Sequence, residues 1–209
     1  MLSSTRRHFL QATSTAAASL SLASYVHANA DTVKPVRVAL IGCGGRGSYL
    51  AGVFQSQPGV SLTWVCDVDT ARLQRGKKLA RGTVQASNDI RKVLADKTLD
   101  ACIVATPDHW HAPAAILACE AGKHVYVEKP CSHNVREGRL LVESARRNKR
   151  VVQHGTQVRS TPMMIEAVGL LEKGIIGDVK VSKAWNIQRR GNIGKGKPGT
   201  PPATLDYDN

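Results

Sequence analysis

A glycine-rich segment that follows a short apolar run has the spacing of a phosphate-binding loop. Gly42, Gly44 and Gly47 fit the pattern G-x-G-x-x-G. In that pattern the first glycine permits a tight turn, the second lets the backbone approach a pyrophosphate, and the third lets the next helix pack closely on the strand. The amino end of that helix then offers free amides and a positive dipole end to phosphates. The residues expected to bind the phosphates are Gly42, Gly44, Gly45, Gly47 and, as a cation, Arg46.

Asp67 supplies the acidic partner that such a loop requires. It lies 20 residues after Gly47, at the end of a second apolar run. A carboxylate at this place is expected to accept hydrogen bonds from the adenosine ribose and to repel a 2′-phosphate. We therefore expect NAD as the cofactor, and NADP is not excluded because Arg72 and Lys77 follow closely. The alternative is a structural glycine turn without a ligand.

Three further polar segments also follow predicted strands. They are residues Thr106 to His111, Glu128-Lys129-Pro130, and residues His154 to Arg159. In a doubly wound sheet, ligands bind outside the carboxyl ends of the strands, so all three segments are expected to face the crevice of the glycine loop. Asp108, His109 and His111 also invite a zinc interpretation. Neutral histidines in a cofactor loop account for the same residues, and we expect no metal.

The elements that must position these residues alternate between strand and helix. The sequence predicts six strands at residues 36–41, 60–66, 83–86, 101–105, 123–127 and 151–154. Helices are predicted at residues 48–55, 70–81, 113–121 and 135–148, with another that Ser87 or Asn88 caps and that runs to about Ala95. This alternation indicates an α/β fold with a doubly wound parallel sheet, a Rossmann domain over residues 33–155.

Residues 156–209 are expected to begin a second domain. A helix is predicted from Met163 to Lys173, and a strand from Val179 to Ile187, before a Gly/Pro-rich stretch. We therefore interpret the 209 residues as part of a longer enzyme. A continuation of about 150–250 residues would be an ordinary second domain.

The first 30 residues are predicted to be a twin-arginine export signal. Arg6-Arg7-His8-Phe9-Leu10 precedes a weakly apolar stretch and the small-residue end Ala28-Asn29-Ala30. This order is typical of a secretory signal, and the arginine pair is typical of the twin-arginine route. We expect cleavage after Ala30 and a periplasmic location. The apolar stretch is too short for a stable membrane span. The alternative is a frayed helix with a chance arginine pair.

Composition and charge exclude several classes of protein. Hydrophobic residues make up 42% of the chain, which excludes a disordered or collagen-like protein. The formal net charge is +13, yet the basic residues lie on helix faces and helix ends without interleaved aromatic residues. Nucleic-acid binding is therefore not expected. The five cysteines have no metal-ligand spacing, and we expect five small core residues without a disulfide.

The chain resembles a known oxidoreductase family. Ala105-Thr106-Pro107, His111, the run Ala121 to Val125, and Glu128-Lys129-Pro130 are similar to the glucose–fructose oxidoreductase / inositol dehydrogenase / MocA (Gfo/Idh/MocA) family, over about residues 36–185. The resemblance implies a Rossmann domain followed by an α/β domain with an open sheet. It also implies NAD(P)-dependent oxidation or reduction of a sugar or cyclitol carbon.

The resemblance further implies roles for individual residues. Lys129 corresponds to a lysine near the nicotinamide that exchanges a proton with the reacting hydroxyl, and Arg159 could meet a substrate hydroxyl or a cofactor phosphate. The positions expected at the cofactor are Thr106, Pro107, Trp110, His111, Glu128, Lys129 and Gln157.

Three functions remain open at this point. The first is an exported NAD(P)-dependent oxidoreductase that acts on a sugar, sugar acid or cyclitol. The second is a redox glycosidase similar to the NAD-dependent α-N-acetylgalactosaminidase type. The third is a dinucleotide-binding module without turnover. The expected partners are the small-molecule substrate and the export machinery, and a homo-oligomer is expected only with the full C-terminal domain.

Overall fold

The computed structural model describes residues 34–185, 191–192, 194–196 and 199–207. The predicted export signal over residues 1–30 lies outside these residues. Six strands form one parallel sheet in the order β3-β2-β1-β4-β5-β6, which confirms the doubly wound fold. The strands are β1 Val36–Ile41, β2 Val60–Cys66, β3 Gln85–Ser87, β4 Ala101–Val104, β5 His124–Glu128 and β6 Val152–Gly155.

Helices connect the strands and cover both faces of the sheet. They are α1 Gly45–Gln55, α2 Thr70–Leu79, α3 Ile90–Leu94, α4 His111–Glu120, α5 Val135–Arg147 and α6 Pro162–Glu172, with a 3-10 turn at Asp108–Trp110. Along β1, Val38 and Leu40 enter the core beneath α1 and α2, whereas Ala39 and Ile41 enter the core beneath α3, α4 and α5. Both faces of the central strand are therefore buried, as a parallel sheet requires.

The register of the strands brings their carboxyl ends to one edge. Ile41 pairs with Cys66 on one side and with Val104 on the other, and Glu128 pairs with Gly155. The strand order reverses between β2 and β4, on the two sides of β1. This reversal is the switch point at which doubly wound sheets open a crevice for a ligand.

The starts of α1 and α3 differ from the prediction, whereas α5 starts as predicted. Helix α1 begins at Gly45 rather than near Ser48, because the last glycines of the loop already belong to its first turn. Neither Ser87 nor Asn88 caps α3; the carboxylate of Asp89 accepts from the Arg91 amide instead. Asn134 caps α5 as predicted, by accepting from the amide of Glu137 at 3.0 Å.

The strand predicted over residues 179–187 is not formed in the part of it that is described. Residues 179–185 have no strand pairing within the described ranges, and residues 186 and 187 lie outside them. Apolar, β-branched residues favour an extended chain, but a strand also needs a neighbour for its backbone hydrogen bonds. Helix α6, which was predicted, is present, and its apolar side chains Met163, Ile165 and Val168 are exposed.

The cysteines are free thiols. Cys43, Cys66, Cys102 and Cys119 are buried in the core as predicted, whereas Cys131 is only half-buried. Among the described residues, no helix is both long enough and apolar enough to cross a bilayer.

Candidate cofactor site

The glycine loop leads directly from β1 into α1. Gly44 is the N-cap of the helix, and no side chain of the described residues caps this end. The first helical hydrogen bond runs from the amide of Ser48 to the carbonyl oxygen of Gly44 at 2.8 Å. The first turn also lacks acidic residues. Its amides and its positive dipole end are therefore suited to an anion such as a pyrophosphate.

Two of the loop glycines are required by close backbone contacts. Gly42 has a φ of +94°, and a Cβ atom there would lie 2.5 Å from the carbonyl oxygen of Ala105. A Cβ atom on Gly47 would overlap the carbonyl oxygen of Gly42. Gly45 meets nothing within 4 Å, so it leaves open space beside the start of the helix. This cradle fits the backbone approach that a dinucleotide needs.

Asp67 lies beside this loop, as its spacing predicts. One carboxylate oxygen, Oδ2, accepts from the amide of Cys43 at 2.7 Å, and Oδ1 accepts from the amide of Asp69 at 2.9 Å. A carboxylate has about four acceptor sites, so it can still receive ribose hydroxyls. Burial, and then the Asp67 charge, raise the pKa of the neighbouring Cys43 and Cys66 thiols to about 12. Both thiols therefore stay neutral.

The segment after β4 places one free hydroxyl near the loop. Thr106 Oγ1 is buried and has no hydrogen-bond partner among the described residues. The backbone of Thr106 lies within 2.9 Å of the position that a Gly42 Cβ would take. An unpartnered buried hydroxyl is uncommon in proteins, and a bound ligand could satisfy it. Pro107 precedes the 3-10 turn, and Trp110 at the end of that turn is partly exposed.

His111 joins two loops of the site. Its ring is buried, Nε2 lies 2.8 Å from the carbonyl oxygen of Thr106, and Nδ1 lies 2.6 Å from the carbonyl oxygen of Pro130. Both ring nitrogens therefore face protein oxygens. The predicted contact of His111 with the cofactor stays a prediction, and the observed contacts give it a role in holding the Thr106 and Pro130 segments together.

Glu128 is a buried carboxylate that Arg46 neutralises. Its Oε1 accepts from Arg46 Nε at 2.7 Å and lies 2.6 Å from Arg46 Nη2, while Oε2 accepts from the amide of Lys129 at 3.1 Å. The hydrogen bond to Glu128 raises the pKa of Arg46. The expected role of Arg46 as a cation for the phosphates stays a prediction, and its side chain links the glycine loop to the end of β5.

Tyr126 also belongs to this group, and sequence reasoning missed it. Its hydroxyl interacts with Arg46 and Glu128, and burial, followed by the charge of Glu128, raises the pKa of Tyr126. A Cβ atom on Gly155 would lie 2.5 Å from that hydroxyl. The available signal was the period-2 spacing of Tyr126 and Glu128, which puts both side chains on one face of β5.

The remaining predicted residues lie exposed at the same edge of the sheet. Lys129 and Pro130 follow β5 and are joined by a cis peptide bond, and both are exposed. Gln157 and Arg159 follow β6, which pairs with β5 at Glu128, and both side chains are exposed. Within the described ranges, no three His, Cys, Asp or Glu side chains cluster in a way that could hold a metal ion.

Comparison with known proteins identifies the family to which the chain is similar. Residues 36–156 match the family model described as "Oxidoreductase family, NAD-binding Rossmann fold" (GFO_IDH_MocA). The alpha-N-acetylgalactosaminidase of Shewanella oneidensis is 30% identical over 201 residues, a match that covers 83% of this chain and 44% of that protein. The chain thus spans less than half the length of this relative.

Two solved structures share the fold at appreciable sequence identity. GenD2 from gentamicin A biosynthesis, in complex with NAD, has a TM-score of 0.62 and 31% identity, covering 66% of this chain and 39% of its own. The WlbA dehydrogenase of Chromobacterium violaceum, in complex with NADH and UDP-GlcNAcA, has a TM-score of 0.64 and 26% identity, covering 68% and 41%. With a family model that matches more than half of its residues, the chain belongs to the Gfo/Idh/MocA oxidoreductase family, in the part that forms the NAD-binding Rossmann fold.

Proposed function

We propose that this chain binds NAD at the loop formed by residues 42–47 and serves an oxidoreductase that acts on a sugar, sugar acid or cyclitol. The observation that carries the proposal is the uncapped amino end of α1, with Gly47 packed against Gly42 and Asp67 bonded to the same loop. These are the parts that hold a pyrophosphate and a ribose in a dinucleotide site.

The proposed binding residues divide along the length of the cofactor. Gly44, Gly45 and the amides of Arg46 and Gly47 would hold the pyrophosphate, and Asp67 the adenosine ribose. The free Thr106 hydroxyl, with Pro107 and Trp110, would line the cofactor beyond the switch point. When bound, NAD supplies a nicotinamide carbon that accepts or returns hydride.

Lys129 is the proposed proton-transfer residue. Its exposed side chain follows Glu128, whose carboxylate holds the Lys129 amide at 3.1 Å while Arg46 balances the buried charge. The Nζ atom of Lys129 would take the proton from the substrate hydroxyl during oxidation and return it during reduction. Gln157 and Arg159, which follow the neighbouring strand, would lie on the nicotinamide and substrate side.

Lys129→Ala tests this assignment in the full-length enzyme. We expect nicotinamide cofactor binding to stay within about twofold, while kcat falls by roughly 100-fold or more, the usual contribution of a positioned acid or base. Lys78→Ala, on the exposed face of α2, is the matched control and should leave both quantities unchanged. Unchanged turnover in Lys129→Ala would remove Lys129 from the mechanism.

A redox glycosidase is the second candidate, favoured by the 30% identity to the alpha-N-acetylgalactosaminidase of Shewanella oneidensis. Such an enzyme oxidises a sugar carbon, eliminates the aglycone and reduces the product, so its cofactor returns to the starting state. Release of a chromogenic aglycone without a net change in nicotinamide absorbance would favour the glycosidase. A net absorbance change that follows substrate consumption would favour the dehydrogenase.

Export by the twin-arginine route is the remaining part of the proposal. It is supported by the order Arg6-Arg7, apolar stretch and Ala28-Asn29-Ala30. We expect periplasmic protein to begin at Asp31 and expect Arg6→Lys with Arg7→Lys to block export. Exported protein that begins at Met1 would contradict the assignment.

A further inference from the structure

A segment from the far end of the described chain returns to the adenosine side of the proposed site. We call residues 199–207 the returning segment. Leu205 forms an antiparallel bridge with Asp69, immediately after β2. The amide of Thr70 donates to the carbonyl oxygen of Thr204 at 2.8 Å, and the amide of Asp206 donates to the carbonyl oxygen of Val68 at 2.9 Å. The returning segment is therefore bonded to the backbone directly beside Asp67.

Side chains extend this contact to the next strand. Thr70 Oγ1 donates to the carbonyl oxygen of Thr204 at 3.2 Å, and Asn88 Nδ2 donates to Asp206 Oδ2 at 2.8 Å. Asn88 directly follows β3, so the returning segment bridges the carboxyl ends of β2 and β3. Leu205 and Asp206 are half-buried by these contacts. The bridge lies at the edge where the sheet would receive the adenosine ribose.

The contacts of the returning segment reduce the number of free amides that the turn after β2 can offer to a ligand. In dinucleotide sites, this turn meets the ribose 2′ position, and in NADP-binding proteins it receives the 2′-phosphate. Here the Thr70 amide already donates to Thr204, while Asp69 Oδ1 accepts from the amides of Ala71 and Arg72 at 2.8 and 3.4 Å. Protein oxygens therefore occupy the first amides of α2, which would otherwise bind an anion.

The charges around the turn also favour NAD over NADP. Asp206 adds a carboxylate to those of Asp67 and Asp69, and Arg72 is a cation near the same turn. Its Nη1 lies 3.9 Å from the position that a Cβ on Gly44 would take, and its Nε lies 3.7 Å from Asp69 Oδ2. Each carboxylate beside the turn makes the electrostatic potential more negative where a 2′-phosphate would enter, and Asp206 adds to the effect of Asp67 and Asp69.

We propose that the returning segment forms a wall of the adenosine-ribose site and that Asp206 is a specificity determinant that favours NAD over NADP. The inference rests on the proposed NAD-binding function. The bridge to Asp69 fixes the place of the wall, and the bond from Asn88 holds the Asp206 carboxylate next to the turn.

Asp206→Asn in the full-length protein tests the inference, because asparagine keeps the size and the acceptor oxygen of the side chain but removes its charge. We expect the Kd for NADP to fall about three- to tenfold and the Kd for NAD to change less than about twofold, as removal of one charge near a phosphate would do. The effect on NADP should shrink in roughly 0.5 M salt, as screening predicts. Asp178→Asn, which removes an exposed carboxylate paired with Lys180, is the charge-matched control and should change neither Kd.

The outcomes separate this inference from the proposed function. Wild-type protein that binds neither nucleotide would overturn the proposed function, and the inference with it. Wild-type protein that binds NAD, together with an unchanged NAD/NADP ratio in Asp206→Asn, would overturn the inference alone. Equal weakening of both nucleotides would do the same, because it would assign Asp206 a purely structural role.

Amide hydrogen exchange supplies a second measurement that needs no variant. If the returning segment lines the site, NAD should slow exchange in residues 199–207 as well as in the glycine loop. Protection confined to residues 42–47 would contradict the proposed wall.

Discussion

Glu128 lies at the end of β5 with only 3% of its surface exposed, and three groups surround its carboxyl oxygens. Arg46 contacts Oε1 through two nitrogen atoms, the Lys129 amide contacts Oε2, and Tyr126 lies alongside. Removing one partner of a buried ion pair leaves an uncompensated charge, which costs more than the pair itself contributes. The phosphate loop and the segment that carries Lys129 therefore depend on one another.

Arg46→Met tests this dependence without a cofactor. The methionine fills part of the same space but leaves the Glu128 carboxylate without its cation. We expect the free energy of unfolding to fall by about 1–3 kcal/mol, less than for a fully buried pair because Arg46 is partly exposed. Urea denaturation of wild-type protein, Arg46→Met, Glu128→Gln and the double variant measures the change, and the double variant should lose less than the sum of the two single losses.

The exposed pair Arg147–Glu120 provides the matched control. Its atoms are 3.1 Å apart, against 2.6 Å in the Arg46 pair, and both of its side chains are exposed. Arg147→Met should change the free energy of unfolding by less than about 0.5 kcal/mol. Equal effects of Arg147→Met and Arg46→Met would mean that burial of Glu128 contributes nothing to the link.

Sequence spacing predicted some residues of the site because their contacts are local in the motif. Gly42, Gly47 and Asp67 lie as expected, since the turn, the helix start and the end of β2 follow directly from the alternation of elements. The partner of Arg46 is 82 positions away, and no local pattern relates the two residues. The Asp206 contact with Asn88 spans 118 positions, so spacing could not predict it either.

At the scale of elements, buried strands were easier to predict than helix ends. Apolar runs that must be buried on both faces mark β1, β4 and β5 almost residue by residue. The end of a helix depends on which side chain reaches its free amides, and Ser87, Asn88 and Asp89 were all able to do so. Asp89 caps α3, and the Ser87 hydroxyl instead bonds the amide of Asp89 at 3.0 Å. Composition could not distinguish these alternatives.

Lys123 is a buried side chain that connects the start of β5 to the loop after α3. It immediately precedes β5 with 3% of its surface exposed, and its Nζ donates to the carbonyl oxygens of Asp96 and Leu99 at 2.6 and 2.9 Å. Lys123→Met keeps most of the volume but leaves two carbonyls without their donor. We expect the free energy of unfolding to fall by about 2–4 kcal/mol, measured by urea denaturation.

Lys92→Met is the control for this prediction, because Lys92 is exposed on α3, close to the same connection. It should change the free energy of unfolding by no more than about 0.5 kcal/mol. A Lys123→Met variant as stable as the control would show that the two carbonyls find other donors and that Lys123 does not hold the connection.

At low pH, both the net charge of the whole molecule and the protonation of single carboxylates are expected to destabilise the fold. The formal net charge is already +13 at pH 7, and it rises as carboxyl groups take up protons. The added repulsion destabilises the compact state. Carboxylates with a lowered pKa in the folded protein contribute to the acid sensitivity as well. Hydrogen bonds with Arg91 lower the pKa of Asp89, and the hydrogen bond with the Thr98 side chain is the largest cause of the lowered pKa of Asp96.

Asp96 makes the acid dependence testable at one residue. Its carboxylate accepts from the Thr98 hydroxyl at 2.6 Å, the Thr98 amide at 2.8 Å and the Trp64 indole at 2.8 Å, which together lower its pKa from 3.8 to about 2. Because the folded pKa lies below the unfolded one, this stabilisation is complete above roughly pH 5 and is lost as the pH falls toward about 2.

Asp96→Asn should therefore be less stable than wild type by about 1 kcal/mol at pH 7, a value reduced for the solvent exposure of the group. The difference should shrink as the pH falls below about 4, because Asp96 of the unfolded wild type then takes up a proton while the folded protein stays ionised until the pH nears 2. Urea denaturation of both proteins at pH 7, 5, 4 and 3 measures it, with Glu143→Gln on the exposed face of α5 as the control for net charge. A stability difference that stays constant over this range would show that the loss of stability does not depend on the Asp96 charge. The loss would then be assigned to packing around Trp64.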